Sequence, residues 1–192
     1  MAIKVVRVQD DRLQKKLEAE LELLRTLKHK HIVQYYGCVV DKAKREASIF
    51  MELMPDSLQT KYRKFGPLHE NIIKRHTKQI LEALIYLHNI EPRIVHGDLK
   101  AANILSDATV TKLTDFGDSR KMEAIPQGLR ASAESGAILT ELTGSILWMA
   151  PECLNAQPVG RRSDIWSLGC TLIELATANH PWLGVTNMYD LI

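Results

Sequence analysis

Residues 2–8 are dense in β-branched side chains and predict a strand, as do residues 32–40 and 47–51. The charged run 41–46 between the last two predicts a hairpin turn, so the three strands can form one small sheet. Pro55, Asp56 and Ser57 break this pattern, and helical spacing takes over. Residues 71–88 place Ile73, Ile80, Leu84 and Leu87 on one helical face. Residues 110–113 predict another short strand, and the stretch from Asp164 to Leu175 is apolar almost all round, a pattern that belongs in the middle of a domain. This mixture predicts an α+β fold in two lobes. The first, over residues 1–54, is small and β-rich; the second, over residues 55–192, is larger and helical.

Residues 11–28 predict a helix in which Leu13, Leu17, Leu24 and Leu27 form a narrow stripe. Glu20 falls inside that stripe, whereas Glu18 and Glu22 project from the opposite face. An ionised carboxylate buried without a partner costs several kcal/mol, so Glu20 needs a cation, and Lys4 in the first strand is the nearest candidate. The competing reading rotates the helix enough for Glu20 to reach water.

Composition narrows the classes. With 45% hydrophobic and 25% charged residues the chain has material for one globular core. Its 25 basic and 23 acidic residues balance to +2, which argues against nucleic acid as a partner. Cys38, Cys153 and Cys170 are widely spaced, which predicts neither a disulfide framework nor a zinc site and fits a reducing, cytoplasmic setting. No run approaches the ~20 apolar residues of a bilayer span, and the first residues do not resemble a secretory signal, so no membrane role is expected.

Candidate chemistry gathers in two places. The stretch from Ile94 to Leu105 sets Asp98, Lys100 and Asn103 between short apolar runs, and the strand at 110–113 runs into Asp115, Phe116 and Gly117. Either aspartate alone reads as a turn residue capping a strand end. Jointly they supply one carboxylate to orient a hydroxyl and a carboxylate–amide pair suited to a hard cation, the requirements of phosphoryl transfer.

These residues resemble a protein kinase catalytic domain. Met1-Ala-Ile-Lys4 is similar to the lysine-bearing strand motif, Glu20 to the glutamate of the neighbouring helix, His96-Gly97-Asp98 to the H-R-D motif, Asp115-Phe116-Gly117 to D-F-G, and Ala150-Pro151-Glu152 to A-P-E. The resemblance implies Mg-ATP as phosphoryl donor. Lys4, paired to Glu20, would hold its phosphates, Asp98 would orient the substrate hydroxyl, and Asn103 and Asp115 would hold Mg2+. Lys100 and Ser145 match the serine/threonine type, with Lys100 neutralising the transferring group. Met51 would be the gatekeeper, Glu52, Leu53 and Met54 the hinge that binds adenine, and Ala2 and Leu105 the apolar covers of its ring; each also reads as plain core packing. Asp164 would brace the catalytic loop, although a helix N-cap explains it equally well. The runs 27–38 and 48–55 are most similar to the STE group, near the MAP kinase kinase kinases. That implies serine- or threonine-bearing protein substrates, and signalling kinases upstream or downstream. His29 and His31, although conceivable metal ligands, are expected to be ordinary surface residues.

Several features depart from the pattern. No G-x-G-x-x-G precedes Lys4, the chain stops at Ile192 soon after the apolar helix, and the first strand is left as a sheet edge, so the chain is expected to be a kinase-domain fragment, incomplete in both lobes. Gly97 replaces the arginine that docks an activation-segment phosphate, which leaves Arg120, Lys121 and Arg130 to receive charge from Ser119, Ser132, Ser135, Thr140 or Thr143 if phosphorylated. Asp118 adds a negative charge beside the metal site, and the segment ending at Leu58 is shorter than the M-P-G-G-S-L of similar kinases. The leading expectation is a serine/threonine protein kinase. The alternatives are a pseudokinase or scaffold on the same fold, and a truncated product without its own function.

Overall fold

The computed structural model describes residues 1–8, 10–41, 43–117, 119–121, 145–154 and 160–183. Asp118, Arg130, Ser132, Ser135, Thr140 and Thr143 lie outside them. Strand β1 (Ala2–Arg7) alternates half-buried and exposed positions and pairs antiparallel with β3 (Glu46–Met51), which pairs in turn with β2 (Tyr35–Asp41). The order β1-β3-β2 places β1 at one edge. The second strand was expected from residue 32 but begins at Tyr35, because Ile32 and Val33 are tied instead to Leu113, with Val33 N–H donating to the Leu113 carbonyl at 2.9 Å. The hairpin turns on Asp41, whose carboxylate accepts from the N–H groups of Ala43 and Lys44.

Helix α1 (Asp11–Thr26) follows β1 and buries Leu17, Leu21, Leu23 and Leu24. After Met51 the chain enters a second small sheet. There β4 (Asp56–Ser57), β6 (Ile104–Ser106) and β7 (Thr111–Leu113) lie side by side. Helix α2 (Leu58–Phe65) is N-capped by Ser57, and α3 (Glu70–Asn89) buries Ile80, Ala83, Leu84 and Leu87 on the expected face. A third pairing joins β5 (Ile94–Val95) to β8 (Arg120–Lys121), and a short helix α4 (Pro151–Leu154) precedes α5 (Arg161–Thr177).

Helix α5 corrects the expectation of an evenly apolar element. Its buried positions include Ser163, Asp164, Ser167, Thr171 and Glu174, whereas Ile165, Trp166 and Ile173 face outward. The polar side can be interior because its groups have partners there; Thr171, for example, donates to the Ser167 carbonyl at 2.7 Å. None of the helices among the described residues is long and apolar enough to cross a membrane.

The two histidines expected at the surface are also corrected. His31 is buried, with Nδ1 2.8 Å from the Thr111 carbonyl and Nε2 3.3 Å from the Glu82 carboxylate, and His29 stacks on Tyr86 with ring centres 4.9 Å apart. Tyr86 in turn accepts from Lys28 N–H, so the chain between α1 and β2 is fastened to α3.

Close by, His76 is 2% exposed with Nδ1 2.7 Å from Thr111 Oγ1. Burial, helped by the positive charges of Arg75 and Lys61, pushes it down from 6.5 to about 4. The unfolded chain therefore binds a proton that the native state refuses, and stability falls as pH drops from 6.5 towards about 4. The loss attributable to His76 is up to ~2–3 kcal/mol. Urea unfolding at pH 7 and pH 4.5 should show a smaller acid-induced loss in His76→Asn than in the wild type; equal losses would contradict this.

Candidate functional site

The loop between β5 and β6 is shaped from below by one carboxylate. Asp164, 1% exposed in the first turn of α5, accepts from His96 N–H at 3.0 Å through Oδ2 and from Gly97 N–H at 3.0 Å through Oδ1, while His88 Nε2 lies 2.7 Å from Oδ2. The N-cap of α5 is Gly160, so the bracing reading of Asp164 holds and the capping one does not. Gly97 has φ +81°, a conformation glycine adopts without steric cost. His96 Nε2 donates to the Thr114 carbonyl at 3.1 Å and Nδ1 accepts from Asp98 N–H at 3.3 Å, so the ring ties the loop to the strand end that carries Asp115. Phe116 packs on the same ring, 4.9 Å between centres.

Asp98, Lys100 and Asn103 come together as expected. Lys100 Nζ reaches both Asp98 oxygens, at 3.0 and 2.8 Å, and also bonds Ser145 Oγ. Asn103 Nδ2 donates to the Asp98 carbonyl at 2.9 Å and to its Oδ2 at 2.7 Å. Both amide N–H contacts point to Asp98, so the carbonyl oxygen is the group Asn103 can turn to a cation.

Lys4 Nζ lies 3.0 Å from Asp115 Oδ1 and 4.0 Å from Glu20 Oε1. The expected Lys4–Glu20 pair is therefore present at the outer limit of an ion pair, with Asp115 the nearer acid. Glu20, 12% exposed along its side chain, does face inward from α1. Gly117 passes so near that a Cβ there would lie 3.5 Å from both the Asp115 and Glu20 carboxylates. Asp115 itself has φ +62°, a left-handed conformation that costs energy outside glycine and tends to occur at functional positions. Its burial would raise the carboxyl, but the Lys4 charge and hydrogen bond, with the Gly117 N–H, outweigh it and hold Asp115 below its ordinary 3.8.

Of the expected adenine-site residues, Met51 lines a small cavity with Lys4, Glu20, Leu24, Tyr35, Asp115 and Phe116. Ala2 stands opposite Met51 in the sheet, and Leu105 lies in β6 between Ser57 and Lys112. Leu53 is exposed and Met54 half-buried. Glu52 differs from a freely available hinge residue: its N–H donates to the Gln34 carbonyl, and its carboxylate takes Lys112 Nζ at 2.8 Å and Gln34 N–H at 3.1 Å. Ser119, one expected phosphorylation site, donates to the His96 carbonyl at 2.9 Å.

Several residues that position the site escaped sequence reasoning. Tyr35 brings the only buried side-chain polar atom among the described residues that lacks a protein partner, its hydroxyl. Glu152 accepts from Ser163 Oγ at 2.9 Å. Glu174 accepts three hydrogen bonds in the interior. Only its place in α5 hinted at burial, and its partners are remote in sequence.

Comparison with known proteins agrees with this geometry. Residues 1–191 match the model of the protein kinase domain, and the chain belongs to that family. It is 44% identical over 168 residues to human mitogen-activated protein kinase kinase kinase 3, covering 86% of this chain and 25% of that protein. It is 40% identical over 171 residues to mitogen-activated protein kinase kinase kinase A of Dictyostelium discoideum, covering 88% and 17%, and 38% identical over 176 residues to serine/threonine-protein kinase STE11 of Saccharomyces cerevisiae, covering 90% and 23%. The chain thus spans a quarter or less of the length of these relatives.

Removing the Lys4 charge leaves burial as the main influence on Asp115. In Lys4→Met the Asp115 carboxyl should titrate at higher pH than in the wild type, read by carboxyl NMR; an unchanged titration would show that the two do not interact.

Proposed function

We propose that this chain carries the transfer centre of a serine/threonine protein kinase of the MAP kinase kinase kinase type, moving the γ-phosphoryl of Mg-ATP to a protein hydroxyl within a signalling cascade. The observation that carries the reading is that Lys4 meets Asp115, that Lys100 and Asn103 meet Asp98, and that Thr114, next to Asp115, is bonded to both Asn103 and His96. Similarity to relatives named as MAP kinase kinase kinases supports the type. The reading takes residues 1–54 and 55–192 as portions of the two kinase lobes and the setting as cytoplasmic.

The donor chemistry fits magnesium. Asp115 and Asn103 offer hard oxygens, and among the described residues no group of three His, Cys, Asp or Glu is arranged to hold a metal ion. A cation retained by one carboxylate and one amide must complete its shell with phosphate and water, which is how Mg2+ is held at phosphoryl-transfer sites. Bound there, Mg2+ would neutralise charge on the phosphates.

The residues then divide the work. With Asp115 holding the cation, Lys4 would be the ammonium available to the phosphates, with Glu20 as its second acid. Asp98 accepts a hydrogen bond from the substrate hydroxyl and aims its oxygen at the phosphorus. Lys100, already on Asp98, sits where negative charge develops on the transferring group. With the Glu52 N–H and carboxylate engaged elsewhere, adenine would be held by the Glu52 carbonyl and the Met54 backbone, between Ala2 and Leu105. The acceptors are serine- or threonine-bearing proteins, among them other signalling kinases.

The wild-type chain should transfer phosphoryl from Mg-ATP to a generic serine/threonine substrate, and Asp98→Asn should lower the rate by ~10²–10⁴-fold. Undiminished transfer in Asp98→Asn would overturn the assignment. A rise in melting temperature with Mg-ATP but no transfer by the wild type would favour the scaffold reading.

A further inference from the structure

With the order β1-β3-β2, the first sheet has β1 and β2 as its edges. Which backbone groups β1 shows at its edge follows from its bonding to β3. Val8 N–H donates to the Arg45 carbonyl at 2.8 Å, and the register that pairs Val6 with Ala47, Lys4 with Ile49 and Ala2 with Met51 runs on without a shift. Alternate residues of a strand direct their N–H and C=O to the same side. Ala2, Lys4, Val6 and Val8 therefore bond β3, while Ile3, Val5 and Arg7 direct both groups to the open edge. The other side of β3 agrees: Glu52 N–H donates to the Gln34 carbonyl, so even-numbered positions there bond β2 and odd-numbered ones bond β1. Among the described residues no strand meets the outward groups of Ile3, Val5 and Arg7.

Sheet edges are ordinarily blunted by a bulge, a proline or an unanswered charge. β2 has such a device, a register shift between Tyr35 and Gly37. β1 pairs regularly and contains no proline, and both of its charges are answered within the chain, Lys4 by Asp115 and Glu20, and Arg7 by Glu46 at 3.8 Å. The side chains that accompany the outward groups include Ile3 and Val5, 54% and 58% exposed.

This edge is complementary to itself. In an antiparallel pair of β1 strands with a two-fold axis at Val5, Val5 faces its own copy and Ile3 faces Arg7 of the second copy. Every outward N–H and C=O of Ile3, Val5 and Arg7 then finds a partner. Arg7 can lay its aliphatic stem along the opposing Ile3, and Lys4 stands across from Val6. Other registers are worse. Centring the axis on Lys4 sets two ammonium groups face to face, centring it on Arg7 opposes two guanidinium groups, and centring it on Val6 leaves Ile3 without a match inside the strand.

We propose that β1 is a self-association surface: two copies of this chain join their β1 edges antiparallel about Val5 and merge their 3-stranded sheets into one continuous sheet. The inference does not depend on the kinase reading. Because the axis runs perpendicular to the sheet, Lys4 of each copy lies on the same face of the joined sheet, next to the seam.

The test is sedimentation of the full chain over a concentration series, with the wild type, Val5→Lys and Val5→Asp run separately and the two variants then run as an equimolar mixture. Val5 is exposed, so these substitutions spare the core, and thermal unfolding checks that each variant is folded. The expected result is a reversible wild-type dimer whose self-association is weakened ~5-fold or more in each variant alone, because like charges meet at the axis. Association should return in the mixture, where lysine meets aspartate. In the wild type, amide hydrogen exchange at Ile3, Val5 and Arg7 should slow as concentration rises, a readout that needs no variant. A wild type that stays monomeric, a dimer that both variants leave intact, a mixture no more associated than its components, or exchange at these amides indifferent to concentration overturns the proposal.

Discussion

The site depends on the hold of Asp164 on the backbone of His96 and Gly97. Two N–H groups of a loop that cannot satisfy them through regular pairing converge on one buried carboxylate, and an orphaned donor of this kind costs about 1–3 kcal/mol. The constraint fixes where Asp98 begins. From there, the His96 ring reaches the Thr114 carbonyl, and Asn103 N–H groups close on Asp98 from the other side. The loop is thus determined by a helix that makes no contribution of its own to the chemistry.

The ion pairs Lys100–Asp98 and Lys4–Asp115 differ in how readily they can open. Lys100 and Asp98 are 19% and 12% exposed, and Lys100 is further tied to Ser145. Lys4 and Asp115 are 39% and 41% exposed, and a pair so open to water is worth only ~0–1 kcal/mol. Lys4 and Asp115 can therefore part at little cost, while the more enclosed Asp98 cluster keeps its arrangement. The left-handed backbone of Asp115, next to Gly117, keeps that carboxylate near Glu20 and Lys4.

Much of this was legible in the sequence. The three strands of the first sheet and the face of α3 follow from local periodicity, and local pattern decides which side of an element is buried; for Glu20 periodicity left two readings open, and the structure shows the inward one. The gathering of Asp98, Lys100 and Asn103 was legible because they lie within six residues. What could not be read depended on partners far along the chain. The polar interior of α5 became favourable only once Tyr62, Ala101 and Trp148 arrived to bond Glu174, and the burial of His31 required the Thr111 carbonyl and Glu82. That Lys4 lies nearer Asp115 than Glu20 likewise depends on residues 111 positions apart.

The central claim is that Lys4, Asp115 and Asn103 form a receptacle for a nucleotide whose phosphates are bound through a divalent cation. Calorimetric titration of the wild-type chain and Asp115→Asn with ATP, with and without Mg2+, tests it most directly. The account predicts that Mg2+ strengthens ATP binding to the wild type and that this strengthening disappears in Asp115→Asn. Binding that is indifferent to Mg2+, or equally enhanced by it in both proteins, would contradict it.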